Sequence, residues 1–401
     1  MNNKLCLSDI DVEGKRCFVR TDFNVPLDEF QNITDDTRIR ASLPTINHLI
    51  DSGAKIILAS HLGRPKGKRN PMMSLKPVRA RLSRLLKQEV KFVEECIGPE
   101  VDKEVADLKE GEVLLLENLR FYKEETDNDP EFSNKLASLA DLYINDAFGS
   151  AHRAHASTEG ITKFMKISAC GFLMKKEIDY FHRAVSDPAH PVVAIVGGAK
   201  ASTKIAVLLN LLEKVDKLIV GGGLAFTFLK ARGREIGNNI LEEEMLPDVR
   251  KIMDKAKERG VKFYLPVDFV VAEKIDPRAQ TKVVTAQEIP ENWVAPDIGP
   301  ASVKLFSEAL QDARTIIWNG PMGVFEMDIF SRGTMGIVSA VSNAYATTIV
   351  GGGDTDVAVH RAGAEDSISF ISTGGGAFLE LLEGKVLPAL AALTDHPDKK
   401  R

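Results

Sequence analysis

The sequence predicts an α/β protein made of two doubly wound parallel-sheet domains joined by a linker helix. Three observations carry this expectation. The chain has 401 residues, well beyond what one compact core usually supports. Short apolar runs alternate with amphipathic stretches along its length, the pattern of parallel strands covered by helices on both faces. The runs end in Gly, Asn, Asp or Ser, which turn a strand toward a following helix.

In chain order, Arg16–Arg20, Lys55–His61, Val113–Leu119 and Leu142–Phe148 read as buried strands of the first half. Val192–Val196, Leu218–Val220, Lys262–Val271, Thr315–Trp318 and Thr347–Val350 read as those of the second. Thr37–Ser52 and Ser202–Val215 have helical periodicity. Between the halves, Leu173, Ile178, Phe181 and Val185 recur at helical spacing, and Pro188 and Pro191 stop that helix before the next strand. The predicted organisation is a domain over 1–171, a linker helix over 172–187, a domain over 188–375 and a C-terminal segment over 376–401 that packs back on the first domain. The tail His396–Arg401 is polar and expected to fray.

Composition narrows the function. Hydrophobic residues make up 44% and charged residues 27%, and 52 basic against 57 acidic residues give a net charge of −5. That argues against a polybasic nucleic-acid or membrane binder. Cys6, Cys17, Cys96 and Cys170 are widely separated without a C-x-x-C pair, as expected of reduced thiols in the cytoplasm. Lys4, Asp9 and Asp11 leave no apolar stretch for a signal peptide, and no uncharged run is long enough to span a bilayer.

Unusual residues gather where strands end, which is where ligands sit in sheets of this kind. In Arg20-Thr-Asp-Phe-Asn-Val-Pro26, alternation places Arg20, Asp22 and Asn24 on one side and Thr21, Phe23 and Val25 on the other. Alone, this segment is equally a turn capped by Asp and Asn. The neighbouring strand ends add Ser60–Pro65 with His61 and Arg64, Glu117–Tyr122 with Arg120, and Gly149–His155 with Arg153. Arg38 opens the helix after the Asn32–Asp36 turn. One such arginine is ordinarily a solvated surface charge. Several on one sheet edge repel one another unless a small, multiply anionic ligand sits among them.

The second half carries a different signature. Val193–Lys204 reads as a strand, a glycine turn and a helix start, with Lys200 and Lys204 on one helix face near its positive end. That placement is costly unless a phosphate chain binds there. The spacing is not that of a P-loop. Glycine clusters follow at Gly221, Gly222 and Gly223, at Gly320, at Gly351, Gly352 and Gly353, and at Gly374, Gly375 and Gly376. Asp354 has two open readings, a Mg²⁺ ligand beside phosphates and a helix N-cap.

Together these segments resemble the phosphoglycerate kinase family, from Arg16 to about Leu387. The match rests on Arg20–Pro26, Ser60–Pro65, Glu117–Tyr122, Gly149–His155, Gly197–Ile205, Trp318–Glu326, Gly351–Thr355 and Ser372–Ala377 in that order. The resemblance implies two Rossmann-like domains and reversible phosphoryl transfer between 1,3-bisphosphoglycerate and Mg-ADP, giving 3-phosphoglycerate and Mg-ATP, in glycolysis and gluconeogenesis. It implies that Asp22, Asn24, Arg38, His61, Arg64, Arg120 and Arg153 contact the phosphoglycerate, with Arg38 also stabilising the transferring phosphoryl group. Lys200, Lys204, Gly221, Gly222, Asn319, Gly351, Gly352, Gly353 and Thr355 are then implied at the ATP or ADP phosphates, Glu326 at the ribose and Asp354 at Mg²⁺. Lys200 and the amides of Gly374, Gly375 and Gly376 are implied at the transferring group. A cytoplasmic monomer that closes its two domains is implied as well, with hinges near Pro188 and Ser372–Thr373.

Two departures stand out. The family usually has Val where Thr21 stands, and Gly-Leu where Ala295-Pro296 stands in Trp293-Val-Ala-Pro-Asp297. Proline removes a backbone N–H, so a weaker preference for adenine is expected. A nicotinamide-dependent dehydrogenase would need G-x-G-x-x-G after a strand, and none is present. A non-catalytic anion binder would leave the pairing of the arginines with Asp354 and the lysines unexplained.

Overall fold

The structure is a computed structural model that describes residues 3–397; residues 398–401, most of the polar tail, lie outside the described residues. The chain divides into two compact units. One comprises the residues up to Asp179 together with those from Val386 on, the other Tyr180–Lys385.

The first unit holds β1 (Arg16–Arg20), β2 (Lys55–Ala59), β3 (Val90–Val93), β4 (Val113–Leu116), β5 (Leu142–Asn145) and β6 (Ser168–Cys170). They form one parallel sheet in the order β3-β4-β2-β1-β5-β6. Nearly every strand residue is buried, as a sheet covered on both faces requires. The helix Thr37–Asp51 buries Ile39, Ser42, Thr45, Ile46 and Leu49, one stripe at helical spacing. From β1 the chain winds to one edge, then returns on the other side at β5. The strand order therefore reverses between β1 and β5, where Arg20 pairs with Asn145.

The second unit repeats this logic with β7 (Val192–Val196), β8 (Lys217–Val220), β9 (Lys262–Tyr264), β13 (Thr315–Asn319), β14 (Thr347–Gly351) and β15 (Phe370–Ser372). These six are parallel in the order β15-β14-β13-β7-β8-β9. The reversal falls between β7 and β13, where Val196 pairs with Asn319. The predicted fold class, two doubly wound parallel sheets, is what the chain adopts.

Two expectations need correction. Lys262–Val271 is not one strand. Pro266 has no N–H for a ladder, and the chain leaves β9 there. It starts β10 (Asp268–Ala272) in a separate antiparallel sheet with β11 (Thr281–Thr285) and β12 (Val294–Ile298), order β11-β10-β12. Likewise, the helix expected from Ser202 begins only at Ile205 and ends at Leu211. Residues 197–204 form a loop of bends and turns with Lys204 as the N-cap, so Lys200 and Lys204 do not share a helix face.

In chain order, β6 is followed by a helix, Phe172–Phe181, continued by one π-helical turn, His182–Ser186, before β7. At the other end, the helix Gly376–Leu382 belongs to the second unit. The chain from Val386 on belongs to the first, where Lys4 Nζ donates to the Leu393 carbonyl at 2.7 Å and Ala389 N–H to that of Ala151 at 3.1 Å. All four cysteines are free and buried. Among the described residues no helix is long and apolar enough to cross a membrane.

Candidate functional site

In the first unit the reversal point is built around charge. Arg20 closes β1 with no solvent exposure. Its Nε donates to Ser157 Oγ at 2.8 Å, its Nη1 to the Thr21 carbonyl and its Nη2 to His61 Nδ1 at 3.2 Å. Asp22, also buried, accepts from Arg38 Nη1 at 3.1 Å and from the Asn24 N–H at 3.1 Å. Asn24 in turn uses its Oδ1 to accept the Gly63 N–H at 2.8 Å, fixing the loop that carries His61 and Arg64. Burial works against charge on Asp22, but the Arg38 and Arg20 guanidiniums and the Asn24 N–H outweigh it and hold the carboxyl below the usual carboxylate range. Burial also pushes the His61 ring well below its ordinary value, reinforced by Arg20, Arg120 and Arg38 and only partly opposed by Asp22. His61 is therefore neutral near pH 7, and the arginines are what keep Asp22 ionised.

Beside this network lies a depression of about 350 Å³ lined by Arg64, Lys66, Arg120, Lys123, Arg153 and His155, among others. Arg120 is nearly buried; its Nη1 donates to the Gly63 carbonyl at 2.8 Å, and its Nε has no hydrogen-bond partner. Burial, with Arg20 and Arg153 close by, lowers its pKa to about 10. The same surroundings push His155 down to about 3, burial first. A buried guanidinium donor left unpaired among other arginines costs free energy. An anion with several oxygens relieves it.

The reversal point of the second unit is polar at one end and apolar at the other. Lys204 Nζ donates to Asn319 Oδ1, and Asn319 Nδ2 donates to the Gly351 carbonyl at 2.7 Å, tying the ends of β13 and β14 to the loop after β7. Burial lowers the Lys204 pKa, opposed by Asp354 and Glu383. Next to it is a cavity of about 310 Å³. Gly198, Ala199, Gly222 and Gly223 form one wall, and Ala295, Pro296 and the Pro321–Val324 segment another; Phe226, Phe269 and Ile240 add apolar surface. Asp354 and Glu326, both exposed, stand on its lining. The walls suit a flat heterocycle, and the carboxylates suit a cation and a hydroxyl.

The helix Gly353–Arg361 has Gly352, at φ +103°, as its N-cap. Asp354 is its second residue, so the N-cap reading of Asp354 is set aside. An acidic residue in a first turn is favoured by the helix dipole, and its carboxylate stays free of capping. Gly375, at φ +48°, caps the helix Gly376–Leu382, and a Cβ built there meets nothing within 4 Å. That backbone faces open space.

The family model for phosphoglycerate kinase matches residues 7–385. The chain belongs to the phosphoglycerate kinase family. It is 63% identical over 385 residues to the phosphoglycerate kinase of Geobacter metallireducens, covering 96% of this chain and 97% of that protein. It is 58% identical over 393 residues to the chloroplastic enzyme of Volvox carteri, covering 97% of this chain and 85% of that one. Among solved structures, phosphoglycerate kinase from Coxiella burnetii superposes with a TM-score of 0.89 at 41% identity, covering 97% and 98% of the two chains. That from Pyrococcus horikoshii OT3 gives 0.84 at 34%, with the same coverage.

Of the residues that the family resemblance singled out, Asp22, Asn24, Arg38 and His61 lie in one network, and Arg64, Arg120 and Arg153 line one depression. Gly222, Glu326 and Asp354 line the second cavity. Lys204, Asn319 and Gly351 form a chain of contacts beside it. Lys200 is exposed on the loop after β7. Thr355 is fully buried and accepts the Gly320 N–H at 2.7 Å, and Gly221 is absent from the cavity lining. Thr21, where the family usually has Val, is also buried and donates to the Ala59 carbonyl at 3.4 Å. Ala295 N–H donates to Asn239 Oδ1 at 2.8 Å, and the Pro296 carbonyl accepts from Val324 N–H at 2.8 Å. Sequence reasoning missed Lys66, an exposed cation on the loop after β2, Lys123, an exposed cation opening the short helix Lys123–Thr126, and the buried pair Glu125 and Ser157. Only their place in the fold gives these away.

Proposed function

We propose that the chain transfers a phosphoryl group reversibly between 1,3-bisphosphoglycerate and Mg-ADP, giving 3-phosphoglycerate and Mg-ATP. The phosphoglycerate is held by the first unit and the nucleotide by the second. The observation that carries this reading is the unpaired Nε of buried Arg120 among Arg20 and Arg153, beside a depression rich in cations and sized for a small anion.

In the direction of ATP use, a carboxylate oxygen of 3-phosphoglycerate attacks the γ-phosphorus while the bond to the ADP oxygen breaks. The carboxylate is already ionised, so no base and no nucleophilic side chain are needed; the work is positioning and charge neutralisation. Arg64, Arg120, Arg153 and neutral His61 bind the phosphoglycerate, with Asn24 setting the His61–Arg64 loop. Arg38, Lys200 and the amides of Gly374, Gly375 and Gly376 offset charge spreading over the transferring group. Lys204, Asn319 and the Gly351–Gly353 turn face the nucleotide phosphates, and Glu326 the ribose. Donor and acceptor must meet with water excluded, which domain closure provides.

Mg²⁺ takes one or two carboxylates together with phosphate oxygens. Asp354, one of the two carboxylates on the cavity lining, fits that donor set, and among the described residues no group of three or more His, Cys, Asp or Glu side chains forms a self-sufficient metal cage. Held by Asp354, Mg²⁺ would supply compensating charge to the nucleotide phosphates. A monomer acting in the cytoplasm, without nucleic-acid or membrane partners, completes the reading.

The test is acyl phosphate formation from ATP, trapped with hydroxylamine or drawn off by a coupled dehydrogenase. Product is expected only when both 3-phosphoglycerate and Mg-ATP are present. ATP consumption independent of 3-phosphoglycerate would contradict the reading.

A further inference from the structure

Arg20 is not among the residues that line the depression. A guanidinium fully removed from water needs compensation, and Glu125 supplies it from a segment far away in the sequence. Glu125 is itself fully buried, with Oε1 3.9 Å from Arg20 Nη2. The two are joined by a third buried group. Ser157 donates its N–H to Glu125 Oε2 at 2.9 Å and its hydroxyl to Oε1 at 2.6 Å, while its Oγ accepts from Arg20 Nε at 2.8 Å. The hydroxyl proton is thereby committed to Glu125 and the oxygen lone pair to Arg20.

The consequence reaches His61. A guanidinium can only donate, so His61 Nδ1 must accept from Arg20 Nη2 across their 3.2 Å contact. A neutral imidazole with Nδ1 as acceptor carries its proton on Nε2. The guanidinium is anchored by Ser157 at Nε and by the Thr21 carbonyl at Nη1, and losing the Ser157 anchor leaves one bond about which it can turn away from the ring.

We infer that Glu125, acting through Ser157 and Arg20, is a positioning residue that holds His61 in its Nε2–H tautomer, so that the ring offers a donor to the anionic substrate. No charge needs to move. Glu125 fixes a guanidinium, the guanidinium fixes a ring, and the ring adds a neutral donor to the arginines. A neutral His61 also spares the site a further charge among Arg20, Arg120 and Arg153, which already repel one another.

This rests on the reading that His61 faces the phosphoglycerate. The experiment measures two things on the full chain. One is the ¹⁵N spectrum of His61, which separates the two tautomers. The other is calorimetric affinity for 3-phosphoglycerate, with Mg-ATP affinity as the control. Glu125→Gln keeps the shape but loses the charge and one acceptor. Ser157→Ala keeps the carboxylate and breaks the relay, and it carries the test should Glu125→Gln fail to fold. In both, His61 is expected to populate the Nδ1–H form, and 3-phosphoglycerate affinity to fall about tenfold, the scale of one hydrogen bond in a charged network, with Mg-ATP affinity unchanged. Retention of the Nε2–H signature, or of wild-type 3-phosphoglycerate affinity, overturns the inference. His61→Ala separates the two levels. If it binds 3-phosphoglycerate like the wild type, the site reading itself fails. If it binds weakly while the Glu125 and Ser157 variants do not, only the positioning role fails.

Discussion

Replacing Arg38 by Ala is expected to lower kcat about a thousandfold while changing the nucleotide KM little. Arg38 is the second residue of the helix Thr37–Asp51 and reaches back to Asp22, Nη1 to Oδ1 3.1 Å. Its side chain is still partly exposed, at 36%, unlike Arg20, which has no exposure. A buried arginine with every donor directed at protein is a structural part. A half-exposed arginine held by one carboxylate can leave it for a charge that develops during reaction. Interactions made mainly in the transition state appear in kcat rather than in KM. Steady-state kinetics of Arg38→Ala and Arg38→Lys decide the point. Near-wild-type kcat in the alanine variant would remove Arg38 from the transition state. A Lys variant restoring only part of the rate would point to the two-pronged guanidinium geometry rather than charge alone.

Arg120→Met is expected to weaken 3-phosphoglycerate binding about a hundredfold without destabilising the free protein. Arg120 is only 5% exposed, its Nε has no partner and Arg20 and Arg153 oppose its charge. Replacing a strained buried charge by an apolar chain of similar length is often neutral or stabilising. The bond from Nη1 to the Gly63 carbonyl is lost, worth about 1 kcal/mol, against which the relieved repulsion works. Two charge-assisted bonds to a bound anion are worth about 3 kcal/mol, hence the hundredfold. Thermal unfolding and calorimetry on one preparation separate the outcomes. A large fall in melting temperature with binding intact would make Arg120 a structural residue.

Much of this was legible in the sequence, for a physical reason. Parallel strands covered on both faces are continuous apolar runs, so β1, β2, β7 and β14 announce themselves, and their ends are where apolar residues give way to Arg, His, Asn or Gly. Arg64, Arg120, Arg153 and Asp354 are visible for that reason. What periodicity could not show falls into two kinds. Thr281–Thr285 is exposed along almost its whole length, so β11 has no apolar face to read, and Pro266 hid a change of sheet inside one apolar run. The other kind is long-range. Alternation grouped Arg20 with Asp22 and Asn24, yet Arg20 is buried against Ser157 and Glu125, which lie more than a hundred residues away. Glu125 stands in Lys123-Glu-Glu-Thr126, which reads as a solvated helix end. Lys200 and Lys204 would share a face only on a helix that contains both, and the helix starts at Ile205, after the glycine-rich loop.

In the proposed reaction the phosphoryl group passes directly between two bound ligands and is never carried by a side chain. The sharpest test is the stereochemical course at phosphorus, with ATP made chiral at the γ-position by sulfur and oxygen isotopes and 3-phosphoglycerate as acceptor. A single in-line displacement inverts the configuration, and inversion is the result expected here. Retention would require two displacements through a covalent phospho-enzyme, and would contradict direct transfer.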